Sequence, residues 1–161
     1  MPVIQVAVMT ISNKILSGQQ PDENRKALET VLTNHQLTLL SYEVVADDRQ
    51  MIAQRLASLC QPAAPHIILT LGGTGVRPTD WAPEATRDVI EKEIPGIGEA
   101  MRAESLKKVG TAMLSRGTAG IRGTTLIINL PGSLKGAEQN LQVVLPLLDH
   151  MVEKIGGRAR Q

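Results

Sequence analysis

From residue 69 to residue 85 the chain reads Leu-Thr-Leu-Gly-Gly-Thr-Gly-Val-Arg-Pro-Thr-Asp-Trp-Ala-Pro-Glu-Ala. Gly72, Gly73, Thr74 and Gly75 stand between an apolar, β-branched run and a helix signal at Pro83. Strand, glycine loop and helix start together make an anion cradle, because glycine lets the main chain come close to a phosphate and a helix N-terminus aims unpaired N–H groups at it. The same loop carries Asp80, and an acid beside phosphate points to a divalent cation or a polar ligand contact. No Lys-Ser or Lys-Thr pair follows the glycines, so this is not a P-loop. Val76, Arg77 and Pro78 stand where the dinucleotide fingerprint would place its third glycine. An ordinary tight connection between strand and helix is the alternative, and the rest of the chain must decide.

A second acidic position is Asp47-Asp48, between a strand-like run, Leu37 to Val45, and a helix bearing Ile52, Leu56 and Leu59. A helix N-cap accounts for one of the two acids but not both. If this loop falls near the glycine loop, Asp47 and Asp80 could share a magnesium ion; spacing alone leaves that open. Two more strand ends carry polar or turn residues: Thr10, Ile11, Ser12 and Asn13 after Val3–Met9, and Pro131, Gly132 and Ser133 after Thr125–Leu130. Open α/β sheets bind ligands beyond the carboxyl ends of their strands. The hydroxyls of the first loop suit capping of its own backbone equally well. Ser133, with Lys135 close by, reads as the N-cap of the last helix. His35, His66 and His150 lack ligand spacing and read as structural or surface residues. The lone Cys60 excludes an internal disulfide and fits the apolar face of a helix as a buried structural thiol. Trp81 is expected to pack its loop, with a lid or stacking surface as the alternative.

The elements that must hold these residues follow from periodicity. Val3–Met9, His66–Leu71 and Thr125–Leu130 are nearly continuous apolar runs, as expected of strands covered on both faces. Asp22 should cap a helix from Glu23 to about His35, with Ala27, Leu28, Val31 and Leu32 as its inward stripe. Pro83 and Glu84 open another helix, and Pro95-Gly96 turns the chain into one bearing Ile97, Met101 and Leu106. Residues 111–123 are punctuated by glycine and read as a close-packed loop. The last helix runs through Ala137, Leu141, Leu148 and Ile155, kinked or split at Pro146 and closed at Gly156-Gly157. Strands alternating with helices predict an α/β fold, a three-layer α/β/α sandwich with a mostly parallel central sheet. A single domain over residues 1–157 with a basic tail at 158–161 is expected.

At 161 residues with 42% hydrophobic content, the chain can bury a real core. Aromatics make up 1% and Phe is absent, so base-stacking recognition of nucleic acid is not expected. A formal net charge of +1 gives no electrostatic reason for a nucleic-acid or membrane partner. With no leader pattern and no apolar span of about twenty residues, the protein is expected to be soluble and cytoplasmic.

Several ordered motifs together resemble one family. They are Leu71-Gly-Gly-Thr-Gly75, Thr79-Asp80, Ala82-Pro-Glu-Ala85, Pro95-Gly-Ile-Gly-Glu-Ala-Met-Arg102, Leu114-Ser-Arg116, Ala119-Gly-Ile-Arg-Gly123 and Asn129-Leu-Pro-Gly-Ser133. From Val3 to about Ile155 the chain is similar to the MogA/MoaB family of molybdenum cofactor biosynthesis proteins, particularly its stand-alone MoaB-like branch. The resemblance implies a molybdopterin adenylyltransferase, which moves AMP from Mg-ATP to the terminal phosphate of molybdopterin and releases pyrophosphate. A non-catalytic molybdopterin carrier of the MoaB type is the alternative. The motif match assigns Asp47 to magnesium and nucleotide phosphates, and Asp80 to substrate orientation or shared metal binding. It gives Ser12 and Gly72, Gly73, Thr74 and Gly75 to the ligand, Ser115 and Asn129 to the pterin side, and Pro131, Gly132 and Ser133 to the nucleotide wall. It further implies a homotrimer or homohexamer and a molybdenum insertase as downstream partner. Asn13, where relatives commonly carry Asp, and Asp22-Glu-Asn-Arg25, in place of an Asp-x-Ser-Gly run, imply that the first loop binds ligand differently or less well. Inactive-looking relatives have lost the acid that matches Asp47; this chain keeps it, which favours the enzyme.

Overall fold

The computed structural model describes residues 3–157, so the basic tail expected at 158–161 lies outside the described residues. In chain order the elements are β1 (Ile4–Ile11), a single helical turn α1 (Asn13–Leu16), α2 (Asn24–Asn34), β2 (Leu37–Val45), α3 (Arg49–Leu59), β3 (Ile67–Leu71), α4 (Ala82–Val89), β4 (Lys92–Glu93), α5 (Pro95–Leu106), β5 (Ala119–Arg122), β6 (Thr125–Leu130), α6 (Leu134–Val144) and α7 (Leu148–Ile155). Every residue of β3 and β6 is buried, which is why both runs are apolar without alternation. They pair in parallel at the centre of a six-stranded sheet ordered β2-β1-β3-β6-β5-β4. The first four strands of that order run parallel, and β5 and β4 are antiparallel additions at one edge.

Period-two alternation sends the two faces of each strand into two separate cores. Val6, Val8, Leu69, Leu71, Ile128 and Leu130 pack with Leu28 and Leu32 of α2, Met101 of α5 and Leu141 of α6. Ala7, Met9, Ile11, Ile68 and Ile127 pack on the opposite face with Ile52 and Leu56 of α3 and Ala82, Ala85 and Val89 of α4. The expected three-layer α/β/α sandwich with a mostly parallel sheet is therefore what forms. Among the described residues no helix is long and apolar enough to cross a membrane.

The chain leaves β1 for β2 on one side and returns to β3 on the other. Strand order reverses between β1 and β3, so the loops at their carboxyl ends diverge and leave a crevice.

Residues 111–123 are not one loop. A 3-10 turn covers Gly110–Leu114, and Ala119–Arg122 is a strand pairing with both β4 and β6. The glycine that disguises it is steric: a Cβ on Gly120 would lie 2.4 Å from Ile90 Cδ1 and 2.8 Å from the Lys92 carbonyl. Pro146 splits the last helix, as expected, into α6 and α7 around a 3-10 turn at Leu145–Leu147. Helix α2 starts one residue later than expected, at Asn24, although Asp22 Oδ1 still accepts the Asn24 N–H at 3.0 Å. Cys60 ends α3 half-buried against the α3/α4 core, where burial pushes its thiol up. His66 is structural, its Nδ1 accepting the Gln5 N–H at 3.0 Å.

Candidate functional site

The carboxyl ends of β1, β2, β3 and β6 open into one cleft of about 790 Å³. Its floor is set by three strand ends that touch through glycine. Gly72 has φ +105°, and a Cβ there would meet the Ile11 carbonyl oxygen at 2.5 Å. A Cβ on Gly132 would in turn lie 3.3 Å from Gly72 Cα. Gly73 follows in the left-handed region at φ +69°, so the chain turns sharply away from the sheet before α4.

Beyond that turn, the N–H groups of Gly73, Thr74, Gly75 and Val76 donate no hydrogen bond among the described residues. Arg116 explains why the peptides stand this way. Its main-chain N–H bonds the Thr74 carbonyl at 2.8 Å, its Nε the Gly75 carbonyl at 2.7 Å and its Nη2 the Asp80 carbonyl at 2.9 Å. A trans peptide directs its N–H opposite to its C=O, so the Gly75 and Val76 N–H groups point away from the arginine. Nη1 of Arg116 is held by Glu84 Oε2 at 2.6 Å, in the first turn of α4. Successive outward N–H groups of this kind form a nest for an anion.

The two acids of the β2–α3 loop have separate tasks. Asp48 is the N-cap of α3, accepting the Met51 N–H at 2.9 Å. Asp47 is released toward the cleft and clasped to Asn13: its N–H donates to Asn13 Oδ1 at 3.0 Å, and its Oδ2 accepts the Asn13 N–H at 3.4 Å. Asp80 enters the same cleft from the glycine loop, with Oδ2 accepting the Arg77 N–H at 2.9 Å. Burial first, and then the negative charge of Asp80, push the Asp47 carboxyl above its usual range, against the Asn13 hydrogen bond and the Arg77 charge. Two carboxyls far apart in sequence therefore sense each other across one cavity. Among the described residues no three His, Cys, Asp or Glu side chains gather as a metal cluster.

Ser12, Gly72, Gly73, Thr74, Gly75, Gly132 and Ser133 line this cleft with Asp47 and Asp80. The hydroxyls of Ser12 and Ser133 also cap their own helices, accepting from Ile15 at 3.2 Å and from Gly136 at 3.2 Å. Ser115, Asn129 and Pro131 are not among the lining residues. Asn129 is buried inside the sheet: its amide donates to Thr70 and Thr86 hydroxyls at 3.0 and 2.9 Å, and its Oδ1 accepts the Thr118 N–H at 3.2 Å. It is 1% exposed, and its amide joins β3 to α4. Ser115 Oγ accepts the Gly117 N–H at 3.4 Å, while Leu114 beside it reaches the cleft. Trp81 packs into neither core; it is 38% exposed with the Arg49 guanidinium over its ring at 5.9 Å.

Sequence reasoning missed Arg116 and Arg102, whose Nη1 bonds the Gly117 carbonyl at 2.7 Å. Both sit in the motifs that carry the resemblance, but apart from Glu84 their partners are main-chain oxygens, which leave no trace in residue type. The cleft cations Lys14 and Arg77 were missed too, each being a lone charge in a polar loop.

A family described as a probable molybdopterin binding domain matches residues 7–150. The chain is 41% identical to a molybdopterin adenylyltransferase of Helicobacter pylori over 163 aligned positions, which cover 100% of this chain and 93% of that protein. It is 38% identical to the molybdopterin adenylyltransferase of Escherichia coli, covering 89% of this chain and 75% of that one. Among solved structures, the molybdopterin biosynthesis enzyme MoaB of Thermus thermophilus superimposes with a TM-score of 0.90 at 41% identity, covering 99% of this chain and 100% of that one. This chain belongs to the molybdopterin-binding family of molybdenum cofactor biosynthesis proteins.

Proposed function

We propose that the protein is a molybdopterin adenylyltransferase and that residues 1–157 form its molybdopterin-binding unit. Family membership supports this, as do relatives of that name at 38% and 41% identity. The observation that carries the mechanism is the meeting of Asp47 and Asp80 in one cleft beside the outward N–H groups of the glycine loop. The terminal phosphate oxygen of molybdopterin attacks the α-phosphorus of ATP; a new P–O bond forms, the α–β bridge breaks and pyrophosphate leaves. Such a displacement asks a protein mainly to align the reactants and to stabilise spreading negative charge. The N–H groups of Gly73, Thr74, Gly75 and Val76 provide fixed donors for phosphate oxygens, and Lys14 and Arg77 add positive charge at the rim. Ser12, Gly132 and Ser133 wall the same space.

Asp47 and Asp80 fit magnesium. Two carboxylates, with no third ligand side chain among the described residues, suit an ion that binds proteins through one or two carboxylates and keeps water and phosphate oxygens in its other positions. Once bound, the ion neutralises phosphate charge. Asn13 sets Asp47 by two bonds, one to its carboxylate and one from its main-chain N–H, and the Arg77 N–H sets the Asp80 carboxylate. Asn129, Ser115 and Pro131 hold the walls from behind, with Ser115 and Asn129 on the pterin side. A homotrimer or homohexamer in the cytoplasm, handing its product to a molybdenum insertase, completes the reading.

Protein incubated with Mg-ATP and molybdopterin is expected to release pyrophosphate, and Asp47→Ala and Asp80→Ala each to abolish release. A carrier would bind molybdopterin and release none. Ordinary turnover in both variants would refute the site assignment.

A further inference from the structure

We propose that Asn24 is a specificity-determining residue of the cleft, its Oδ1 held as a fixed acceptor for an N–H of the ligand's heterocycle. This rests on the adenylyltransferase reading, which brings two flat heterocycles, a purine and a pterin, to the cleft.

Asp22 lies just outside the cleft lining. Its Oδ2 lies 2.6 Å from the Tyr42 hydroxyl, and a carboxylate only accepts, so Tyr42 gives its one proton to Asp22. Burial, together with the Asp22 carboxylate, holds the Tyr42 phenol well above its usual range, which keeps that proton in place. The Thr10 hydroxyl lies 2.7 Å from the same phenol oxygen. Since Tyr42 has no second proton, Thr10 must donate to it. Thr10 Oγ1 can then only accept from its other neighbour, the Asn24 amide at 3.3 Å. A neutral Asn amide has one donor end and one acceptor end. The chain from Asp22 through Tyr42 and Thr10 thus fixes which end faces inward: Nδ2 toward Thr10 and Oδ1 the other way.

That Oδ1 has no hydrogen-bond partner among the described residues, yet it is not an enclosed, orphaned atom. Asn24 is 8% exposed, and it lines the cleft. Its remaining opening is therefore toward the ligand. A nearly buried acceptor that cannot turn over selects for a donor and rejects a group lacking one. Adenine offers its exocyclic amino group, and a pterin offers amino and ring N–H groups.

The test is equilibrium binding to the full chain of three separate probes. They are ATP, purine riboside triphosphate (ATP without the exocyclic amino group) and molybdopterin alone. Asn24→Leu is expected to weaken one of the two natural ligands by roughly five- to tenfold. If the donor is adenine, purine riboside triphosphate binds the unaltered chain as weakly as ATP binds the variant, and the variant does not distinguish the two. If it is the pterin, the loss falls on molybdopterin, and the two triphosphates bind alike throughout. Tyr42→Phe, outside the cleft lining, frees the Thr10 proton and lets the amide adopt either orientation, so the same ligand loses about twofold. Unchanged binding of ATP and of molybdopterin in both variants overturns the inference while leaving the adenylyltransferase reading intact. Failure of the unaltered chain to bind either ligand overturns both.

Discussion

The Asp48 carboxylate is engaged by the Met51 N–H, whereas Asp47, one residue earlier, keeps its second oxygen for the cleft. That oxygen is held at a cost to the fold. Because burial and Asp80 raise the Asp47 pKa, the folded state prefers the protonated form. The stabilising contribution of that proton is complete below the unfolded carboxylate range and disappears as pH rises through the raised folded value. Asp47→Asn is therefore expected to melt higher than the unaltered protein at pH 7, by roughly 1–2 °C after allowing for solvent screening, with the difference closing on acidification. Asp80→Asn removes a repelling charge, so Asp47, followed by carboxyl NMR, is expected to titrate at lower pH in that variant. An unmoved Asp47 titration would mean that the two carboxyls do not share a cavity. Local chemistry made part of this legible: two successive acids before a helix exceed one cap, and a glycine loop bearing an acid suggests phosphate. The burial of Asn129 was not legible, because an amide satisfied by three threonines looks in sequence like any strand-end asparagine.

Among the elements, the loop between β3 and α4 depends on a side chain from forty residues away. Arg116 ties three of its carbonyls to Glu84 of α4, so the loop and the helix move as one piece. Arg116→Ala is expected to destabilise the protein by about 2–3 kcal/mol in urea titration, because charged hydrogen bonds are lost and their carbonyls are left poorly paired. Arg116→Lys should recover only a fraction, since one ammonium group cannot span the oxygens that a planar fork reaches. Gly72→Ala is expected to be worse. Its Cβ would strike the backbone of β1 at 2.5 Å, and neither strand can retreat from a sheet interior. Gly123→Ala also places alanine at positive φ, but into open space, and is expected to cost about 1 kcal/mol. Long elements were legible because their periodicity runs for several residues. The turn α1, of four residues, and β4, of two, are too short to show a period. In β5 the decisive glycine answers to a neighbour, Ile90, that no local window contains.

For the whole molecule, the alternation of apolar runs and amphipathic stretches was enough to specify the layers and the parallel centre. The antiparallel edge was hidden because strand direction is settled by connection geometry rather than by composition. Leu106, Val109, Met113 and Leu114 remain between 41% and 67% exposed along the end of α5 and the following 3-10 turn. Such a strip favours self-association, and light scattering is expected to return three or six times the 17.3 kDa chain mass at micromolar concentration. A monomer would count against the proposed assembly. The chain has one Trp, one Tyr and no Phe. Trp81 follows Asp80 directly and packs into neither core, whereas Tyr42 bonds Thr10 of the cleft wall through its hydroxyl and lays its ring against the core beneath α2. Tryptophan emission, excited where tyrosine does not absorb, therefore reports on the mouth of the cleft. Ligand occupancy can be followed label-free, and a heating curve recorded by tryptophan emission will track the mouth of the cleft, while circular dichroism tracks the sheet and helices.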